Sequence, residues 1–240
     1  YKIFALTRKK KNKKIKNVKW LVGGIDKNWK ELKRTDILIH LAAVGGYSRF
    51  STFKKCYNFN VLKSKKLVEN SVSNGCNKLL IISSKKEKKI KNLEINKNQI
   101  KNYEKKPDYI YALTKAIFSK FCFDFSKKND VKIRIVRLYH VYGRNEKKFR
   151  LWPALIKAAK NNKDFRMTSG NQKTDFNYID DVIDGLINAI DLKKKSKKFP
   201  QIWDMGSGIT MSVKKFAQSI WKSINPSSKI YFSKIKIYDK

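Results

Sequence analysis

Tyr111 and Lys115 are the residues of this chain whose types and spacing most directly suggest chemistry. They are four positions apart, so on a helix the phenol and the ammonium lie on one face. A neighbouring positive charge favours the phenolate and is therefore expected to lower the pKa of Tyr111. A tyrosine tuned in this way can exchange a proton with a sugar hydroxyl or ketone while a cofactor carries hydride.

The spacing alone is weak support, because a chain this rich in lysine would contain roughly two Tyr-x-x-x-Lys matches by chance. The flanking segments strengthen it. Residues 78–84 form an apolar run that ends in two serines, which predicts a buried parallel strand delivering Ser84 to the carboxyl edge of a sheet. Residues 131–137 read as another strand, followed by a loop to Gly143. Ligands bind at the carboxyl edge of α/β sheets.

The rest of the chain alternates between strand and helix patterns, which predicts an α/β fold with a doubly wound parallel sheet. Strands are expected at residues 2–6, 18–22, 36–41, 78–83 and 131–137, and helices near 28–34, 51–74 and 108–128. Further along, a helix is expected near 179–191, a strand at 201–205 and a helix near 212–224. The lysine-rich stretch at 85–107 is expected to be a polar loop, more a flexible insertion than a lid.

The net charge of +38, from 57 Lys and Arg against 19 Asp and Glu, ordinarily suggests a polyanionic partner. The excess is scattered lysine, and no helix carries arginines or amides spaced to read bases, so specific nucleic-acid binding is not expected. Nonspecific adhesion to polyanions remains an alternative.

The three cysteines lack Cys-x-x-Cys spacing, which favours reduced thiols and a cytoplasmic location. No apolar run reaches the roughly twenty residues of a membrane span, so no membrane association is predicted. The two histidines, His40 and His140, lack metal-ligand spacing, so no metal site is predicted.

Together these features resemble the extended short-chain dehydrogenase/reductases that act on nucleotide sugars, also called NAD-dependent epimerase/dehydratases. The resemblance rests on the segments above and on residues 36–43, Asn60-Val61, Asp175-Phe176, residues 180–182 and residues 206–208. It implies a Rossmann-like doubly wound parallel sheet with a smaller C-terminal substrate lobe. The NAD(P)-binding domain would cover residues 1–143, and the lobe residues 144–240, with some segments returning to the main domain.

The resemblance also implies roles for single residues. Tyr111 would be the catalytic acid-base, Lys115 would lower its pKa and bond the nicotinamide ribose, and Ser84 would hydrogen-bond the reacting oxygen. Asn60 would support the helix turn beside the cofactor. The end of a strand would line the cofactor's path with Leu41, Ala42 and Ala43. The purely structural alternative is a solvated tyrosine-lysine pair, with Ser84 capping the next turn.

Different features of the sequence indicate which cofactor is preferred and how tightly it binds. Arg8, at the end of the family's second strand, favours the 2′-phosphate of NADP over the ribose hydroxyls of NAD. The family's glycine-rich first turn has no counterpart in these 240 residues. We therefore expect the sheet to lack its first βα unit and to be interrupted, and NAD(P) to bind weakly to this chain, which isothermal calorimetry would test.

Two further departures bear on the reaction. Family dehydratases have an Asp-Glu pair where this chain has Lys85 and Lys86, so elimination of water is not expected. The family's arginine that grips the substrate diphosphate is replaced by Thr174. Lys173 could substitute for it, although an ammonium lacks the bidentate fork of a guanidinium.

The predicted lobe contains two more candidates for the substrate site. Trp152 would either stack on a nucleotide base or pack in a core, and His140 would lie near the substrate or bond to backbone in a loop. Residues 150–153 and 164–170 resemble a branch of the family that includes 4-keto-sugar reductases making 6-deoxy or 3,6-dideoxy hexoses for surface polysaccharide. Dimerisation is usual in the family, so the resemblance also implies a homodimer through the helices near 51–74 and 108–128.

The leading hypothesis is an NADP-linked, or alternatively NAD-linked, reductase or epimerase acting at C4 of a nucleotide-linked hexose through Tyr111, Lys115 and Ser84. The first alternative is a truncated, catalytically silent relative that retains binding at most. The second is a nonspecific polyanion binder.

Overall fold

The structure is a computed structural model that describes residues 1–10, 14–46, 52–93, 107–191 and 198–233, without the side chains of Arg34 and Pro107. The chain folds as two compact units. Unit 1 comprises Tyr1–Arg137 and Ala189–Trp203, and unit 2 comprises Leu138–Asn188 and Asp204–Lys240.

Strands and helices alternate along most of the described chain. The strands are β1 Ile3–Thr7, β2 Val18–Val22, β3 Leu38–His40, β4 Lys78–Ser84, β5 Lys132–Leu138, β6 His140–Tyr142, β7 Phe165–Thr168, β8 Lys173–Tyr178, β9 Gln201–Met205, β10 Thr210–Ser212 and β11 Ile230–Ser233. The α-helices are α1 Phe53–Tyr57, α2 Ser64–Ser73, α3 Pro107–Asn129, α4 Leu151–Lys160, α5 Ile179–Ile190 and α6 Val213–Ile224. A π-helical turn, Asn58–Lys63, joins α1 to α2, and 3-10 helices cover Lys30–Arg34 and Lys85–Lys89. These bounds lie within a few residues of those expected from the sequence.

Unit 1 is built around a sheet in the order β3-β4-β5-β9, and β3 and β4 are parallel. The strands β1 and β2 form a separate parallel pair. Among the described residues no ladder joins β1 to β3, so the sheet is interrupted between them, as expected for a sheet without its first βα unit. The expectation of a Rossmann-like α/β arrangement is confirmed.

The central strand β4 is apolar because both of its faces are covered, as is usual in parallel sheets. Leu79, Leu80 and Ile81 are all 0 % exposed. Buried side chains from the neighbouring helices and strand complete this core: Leu67 and Val68 of α2, Phe118 and Cys122 of α3, and Ile133 and Ile135 of β5. Because β4 is packed on both faces, the residues that follow its last residue, Ser84, are held in position.

Unit 2 contains a sheet in the order β10-β8-β6 and the parallel pair β11-β7. The buried Asp175 of β8 accepts hydrogen bonds from Ser207 N and Oγ and from Gly208 N, at 2.7 to 3.1 Å. The loop at Gly206–Gly208 is therefore fixed by a carboxylate.

The expectation of a polar loop over 85–107 is wrong at its start. Residues 85–89 form a 3-10 helix that buries Glu87, and α3 already begins at Pro107. Residues 94–106 of the expected loop lie outside the described part of the chain. None of the helices in the described residues is both long and apolar enough to cross a membrane.

Candidate active site

The end of β4 presents two serines in different directions, because successive side chains of a strand alternate between its faces. Ser83 is buried, and its Oγ donates to the carboxylate of Glu87. Ser84 is half-buried and is the N-cap of the 3-10 helix, where its Oγ accepts from Lys86 N at 3.3 Å. The capping contact matches the structural alternative for Ser84, and the partial exposure leaves its hydroxyl accessible to a ligand.

Helix α3 carries Tyr111 and Lys115 one turn apart on the same face, as the spacing predicts. Lys115 is only 3 % exposed, and its Nζ donates to the Ile82 carbonyl of β4 at 2.6 Å. Burial lowers the pKa of Lys115 to about 8, against an opposing effect of the Glu87 charge. The amine is thus held at the sheet edge, two residues before Ser84, and can change protonation close to neutral pH.

The expected lowering of the Tyr111 pKa is wrong. Burial is the largest influence and raises the pKa of the half-buried phenol above its usual value near 10, and the negative charge of Glu87 raises it further. The ammonium of Lys115, which was the reason to expect a lower pKa, is directed to the Ile82 carbonyl. Tyr111 is therefore a neutral phenol at neutral pH in this state, which makes it a proton donor.

Glu87 is the ionisable residue of this site that the sequence argument missed. It is 7 % exposed, and its Oε2 accepts from Ser83 Oγ at 2.5 Å and from Ser119 Oγ at 2.8 Å. Its Oε1 lies 3.7 Å from Arg137 Nε. Burial raises the pKa of Glu87, whereas the two hydroxyls and Arg137 act in the opposite direction. The sequence feature that could have indicated Glu87 is its position as a single carboxylate within a run of lysines, three residues after Ser84.

Asn60 lies in the π-helical turn, a feature that often marks functional sites. Its side chain is 2 % exposed and bonds both backbone groups of Val44, with Val44 N donating to Oδ1 at 2.8 Å and Nδ2 donating to Val44 O at 2.9 Å. Its Nδ2 also donates to Thr114 Oγ1 at 3.1 Å. Asn60 therefore fixes the segment that leaves β3 and ties it to α3.

His40, at the end of β3, is a structural residue. Its Nε2 lies 2.9 Å from Ser64 Oγ, and that hydroxyl donates to Phe59 O. Burial lowers the pKa of His40 to about 3, and the charge of Lys115 lowers it further. His40 is therefore neutral at ordinary pH and donates to Ser64.

The residues expected to line a cofactor path follow β3 and are open to solvent. Leu41 is 62 % exposed, and Ala42 and Ala43 are also exposed. Arg8 is exposed directly after β1. An apolar surface beside a buried strand end suits a flat ring, and an exposed guanidinium suits a phosphate.

Three predicted substrate residues belong to unit 2. His140 makes an edge contact with Phe176 at a centroid distance of 4.9 Å. Trp152 of α4 lies 6.2 Å from the Tyr142 ring, in an aromatic cluster, and Lys173 is exposed at the start of β8. Their roles toward a substrate stay predictions.

The groups at the sheet edge in unit 1 fit the nicotinamide ribose and the 2′-phosphate of a dinucleotide, whereas the glycine-rich turn that would hold its pyrophosphate has no counterpart in these 240 residues. A lysine ammonium has three N–H donors, and the Ile82 carbonyl takes one from Lys115, so others can serve ribose hydroxyls. Leu41, Ala42 and Ala43 offer an apolar lining, and Arg8 a cation for a phosphate. Among the described residues, no group of three or more His, Cys, Asp or Glu is arranged to hold a metal ion.

Comparison with known proteins agrees with this architecture. Residues 1–206 match the NAD dependent epimerase/dehydratase family. The chain belongs to that family. It is 28 % identical over 245 residues to CDP-abequose synthase of Salmonella muenchen, a match that covers 100 % of this chain and 78 % of the relative.

Solved structures share the fold at lower identity. The chain superimposes on UDP-glucose 4-epimerase from Thermotoga maritima, solved with UDP-glucose, with a TM-score of 0.78, 15 % identity, and coverage of 100 % of this chain and 80 % of that one. UDP-glucuronic acid 4-epimerase from Bacillus cereus, solved with UDP-glucuronic acid and NAD, gives a TM-score of 0.71, 21 % identity, and coverage of 92 % and 70 %. Another structural match was solved with NADPH.

Proposed function

We propose that this protein reduces the 4-keto group of a nucleotide-linked deoxyhexose with an NADP cofactor. The observation that carries the proposal is the pairing of a neutral, half-buried Tyr111 with a buried Lys115 that is bonded to β4 two residues before Ser84. A neutral phenol is a proton donor, and a ketone accepts a proton as it is reduced.

The reaction needs a hydride and a proton. When bound, the reduced nicotinamide supplies the hydride that adds to the sugar carbonyl carbon. Tyr111 Oη donates its proton to the carbonyl oxygen, which becomes the hydroxyl. Ser84 Oγ donates a hydrogen bond to the same oxygen as it gains charge. The ammonium of Lys115 stabilises the phenolate that remains until a proton from solvent restores Tyr111.

For the substrate we propose a cytidine diphosphate sugar. The support for this class is the similarity of the chain to CDP-abequose synthase. Lys173 is proposed to contact the diphosphate, Trp152 the base and His140 the sugar. Reduction is preferred over epimerisation because a base would have to remove a proton first, and the raised pKa of Tyr111 disfavours that role.

The cofactor preference is proposed from Arg8, whose exposed guanidinium suits the 2′-phosphate of NADP. NAD remains the alternative cofactor, since solved structures of this fold contain either form.

The test is to supply the protein with a CDP-linked 4-keto-deoxyhexose and NADPH deuterated at the transferable position. We expect one deuterium at C4 of the product and one NADPH oxidised per sugar, measured by mass spectrometry and absorbance. In a parallel assay with the C4-hydroxy form of the sugar and oxidised cofactor, interconversion of the two C4 epimers without net NADPH formation would assign the protein to the epimerases. No conversion above the rate without protein would favour a catalytically silent relative.

A further inference from the structure

One face of α3 carries four polar side chains that are three or four positions apart: Asp108, Tyr111, Lys115 and Ser119. The 3-10 helix Lys85–Lys89, which follows β4 directly, contacts the first and the last of them. It therefore meets α3 on both sides of the pair to which the chemistry is assigned.

The contact after the pair, which we call the inner contact, is buried. Ser119 is 6 % exposed, and its Oγ donates to Glu87 Oε2 at 2.8 Å. The same oxygen accepts from Ser83 Oγ at 2.5 Å, and Glu87 Oε1 lies 3.7 Å from Arg137 Nε. Displacing this carboxylate would leave buried polar groups unpaired, which is costly. Glu87 thus joins the 3-10 helix to α3, β4 and β5 at once.

The contact before the pair, which we call the outer contact, is an exposed ion pair. Lys86 Nζ donates to Asp108 Oδ1 at 2.8 Å, and the two side chains are 41 % and 71 % exposed. Ion pairs in water contribute little to stability. The inner contact therefore carries most of the attachment of the 3-10 helix to α3.

Ser84 is the residue whose position depends on these contacts. It ends β4 and caps the 3-10 helix, and its Oγ accepts from Lys86 N at 3.3 Å. That bond occupies one lone pair of the oxygen, and the hydroxyl can still donate its own hydrogen. Because Lys86 and Glu87 are adjacent in one short helix, a shift of Glu87 would also shift the amide that orients Ser84.

We propose that the 3-10 helix, through its inner and outer contacts with α3, holds Ser84 where it can serve the same carbonyl oxygen as Tyr111. Glu87 and Ser119 are then positioning residues. The inference rests on the proposed function, because it concerns the hydrogen bond from Ser84 to the oxygen that Tyr111 protonates. Misplacing this hydroxyl lowers kcat and not the affinity for substrate, since the oxygen gains its charge only in the transition state.

The first test needs no substrate. Ser119→Ala removes the hydroxyl that joins α3 to Glu87, and Ser126→Ala is the matched control, because Ser126 is a similarly buried serine of α3 that donates to the Val131 carbonyl. The probe is hydrogen exchange of the Ile90 amide, which donates to Glu87 O at 2.9 Å. NMR should show exchange about fivefold faster in Ser119→Ala and unchanged in Ser126→Ala. Equal exchange in the two variants overturns the proposal.

Turnover tests whether the attachment matters for the reaction. In Ser119→Ala we expect kcat to fall about tenfold and KM to stay within about twofold, because misplacement by a fraction of an ångström affects mainly the transition state. Ser126→Ala loses a comparable buried hydrogen bond and should keep the kcat of the wild type. Equal kcat values in the two variants, whether lowered or not, overturn the proposal.

A double-mutant cycle tests whether the effect passes through Ser84. Ser84→Ala alone should lower kcat. Adding Ser119→Ala should then cost nothing further, because the hydroxyl to be positioned is absent. A further loss of about tenfold in the double variant would overturn the proposal, since Ser119 would then act on the reaction by another route.

The outer contact should have a smaller effect that depends on salt. Asp108→Asn should lower kcat about twofold at low salt and leave it unchanged at high salt, because an exposed ion pair is weak and screened. Its control is Asp124→Asn, which releases an exposed ion pair with Lys120 on the same helix and should leave kcat unchanged. Equal effects of the two substitutions would overturn the role of the outer contact.

The outcomes separate this inference from the proposed function. If the protein has no turnover, or if Tyr111→Phe keeps full turnover, the proposed function fails, and exchange of the Ile90 amide still decides whether Ser119 holds the 3-10 helix. If Tyr111→Phe is inactive and Ser119→Ala has the same kcat as Ser126→Ala, this inference alone is rejected.

Discussion

The strands β4 and β1 are both parallel and apolar, yet they differ in burial. Ile81 of β4 is 0 % exposed, whereas Ile3 of β1 is 49 % exposed. β4 lies between β3 and β5 and beneath packed helices, whereas β1 forms a ladder with β2 alone in the described sheets. Proton chemistry depends on burial, because burial is what shifts the pKa values of Tyr111 and Lys115. The recognition of a phosphate that we propose for the exposed Arg8 does not depend on burial.

The largest expected effect tests the difference in packing. Ile81→Ala should lower the free energy of unfolding by about 2 to 5 kcal/mol, because it opens a cavity in a core that cannot collapse freely. The matched change Ile3→Ala should cost about 1 kcal/mol or less, since half of that side chain is already in water. Denaturant unfolding measures both. Equal costs would remove the distinction between the two strands.

The next effect is a gain in stability at the site. Lys115 has a pKa of about 8 when folded against 10.5 when unfolded, so its charge opposes folding by about 3 kcal/mol below pH 8. The sign follows from a depressed folded pKa: the stability present above pH 10.5 is lost as the pH falls towards 8. Lys115→Met should therefore be more stable than wild type at pH 7, with the advantage shrinking as the pH rises to 10.5.

Unfolding curves of the two proteins at several pH values check this prediction. The lost bond to the Ile82 carbonyl offsets part of the gain at every pH, so the pH dependence of the difference is the decisive quantity. A difference that stays constant between pH 7 and 10.5 would mean that burial of this amine does not shift its pKa.

The smallest expected effect concerns Arg8, which is exposed directly after β1. Arg8→Ala should weaken NADPH binding about tenfold and leave NADH binding nearly unchanged, because one charge-assisted contact to phosphate contributes roughly 1.5 kcal/mol. Fluorescence titration with both cofactors measures the ratio. Equal loss for both cofactors would show that Arg8 does not read the 2′-phosphate.

The sequence alone predicts those features of the fold and of the site that depend on the residue pattern within one helix or strand. The apolar run of β4 and the spacing of Tyr111 and Lys115 depend on periodicity within one element, so both were predictable. Glu87 was not, because a carboxylate among lysines reads as solvated surface until the fold encloses it. The direction of the Tyr111 pKa shift failed for the same reason, since burial arises from packing between elements that are distant in sequence.

The most direct test of the central claim is the rate of hydride transfer in Tyr111→Phe, followed by stopped-flow absorbance of NADPH in a single turnover. The account predicts a fall of about 10²- to 10⁴-fold, with NADPH affinity kept within about twofold, because only the proton donor is lost. Tyr109→Phe, two residues earlier on α3, should transfer hydride at the wild-type rate. Hydride transfer at an undiminished rate in Tyr111→Phe would contradict the account.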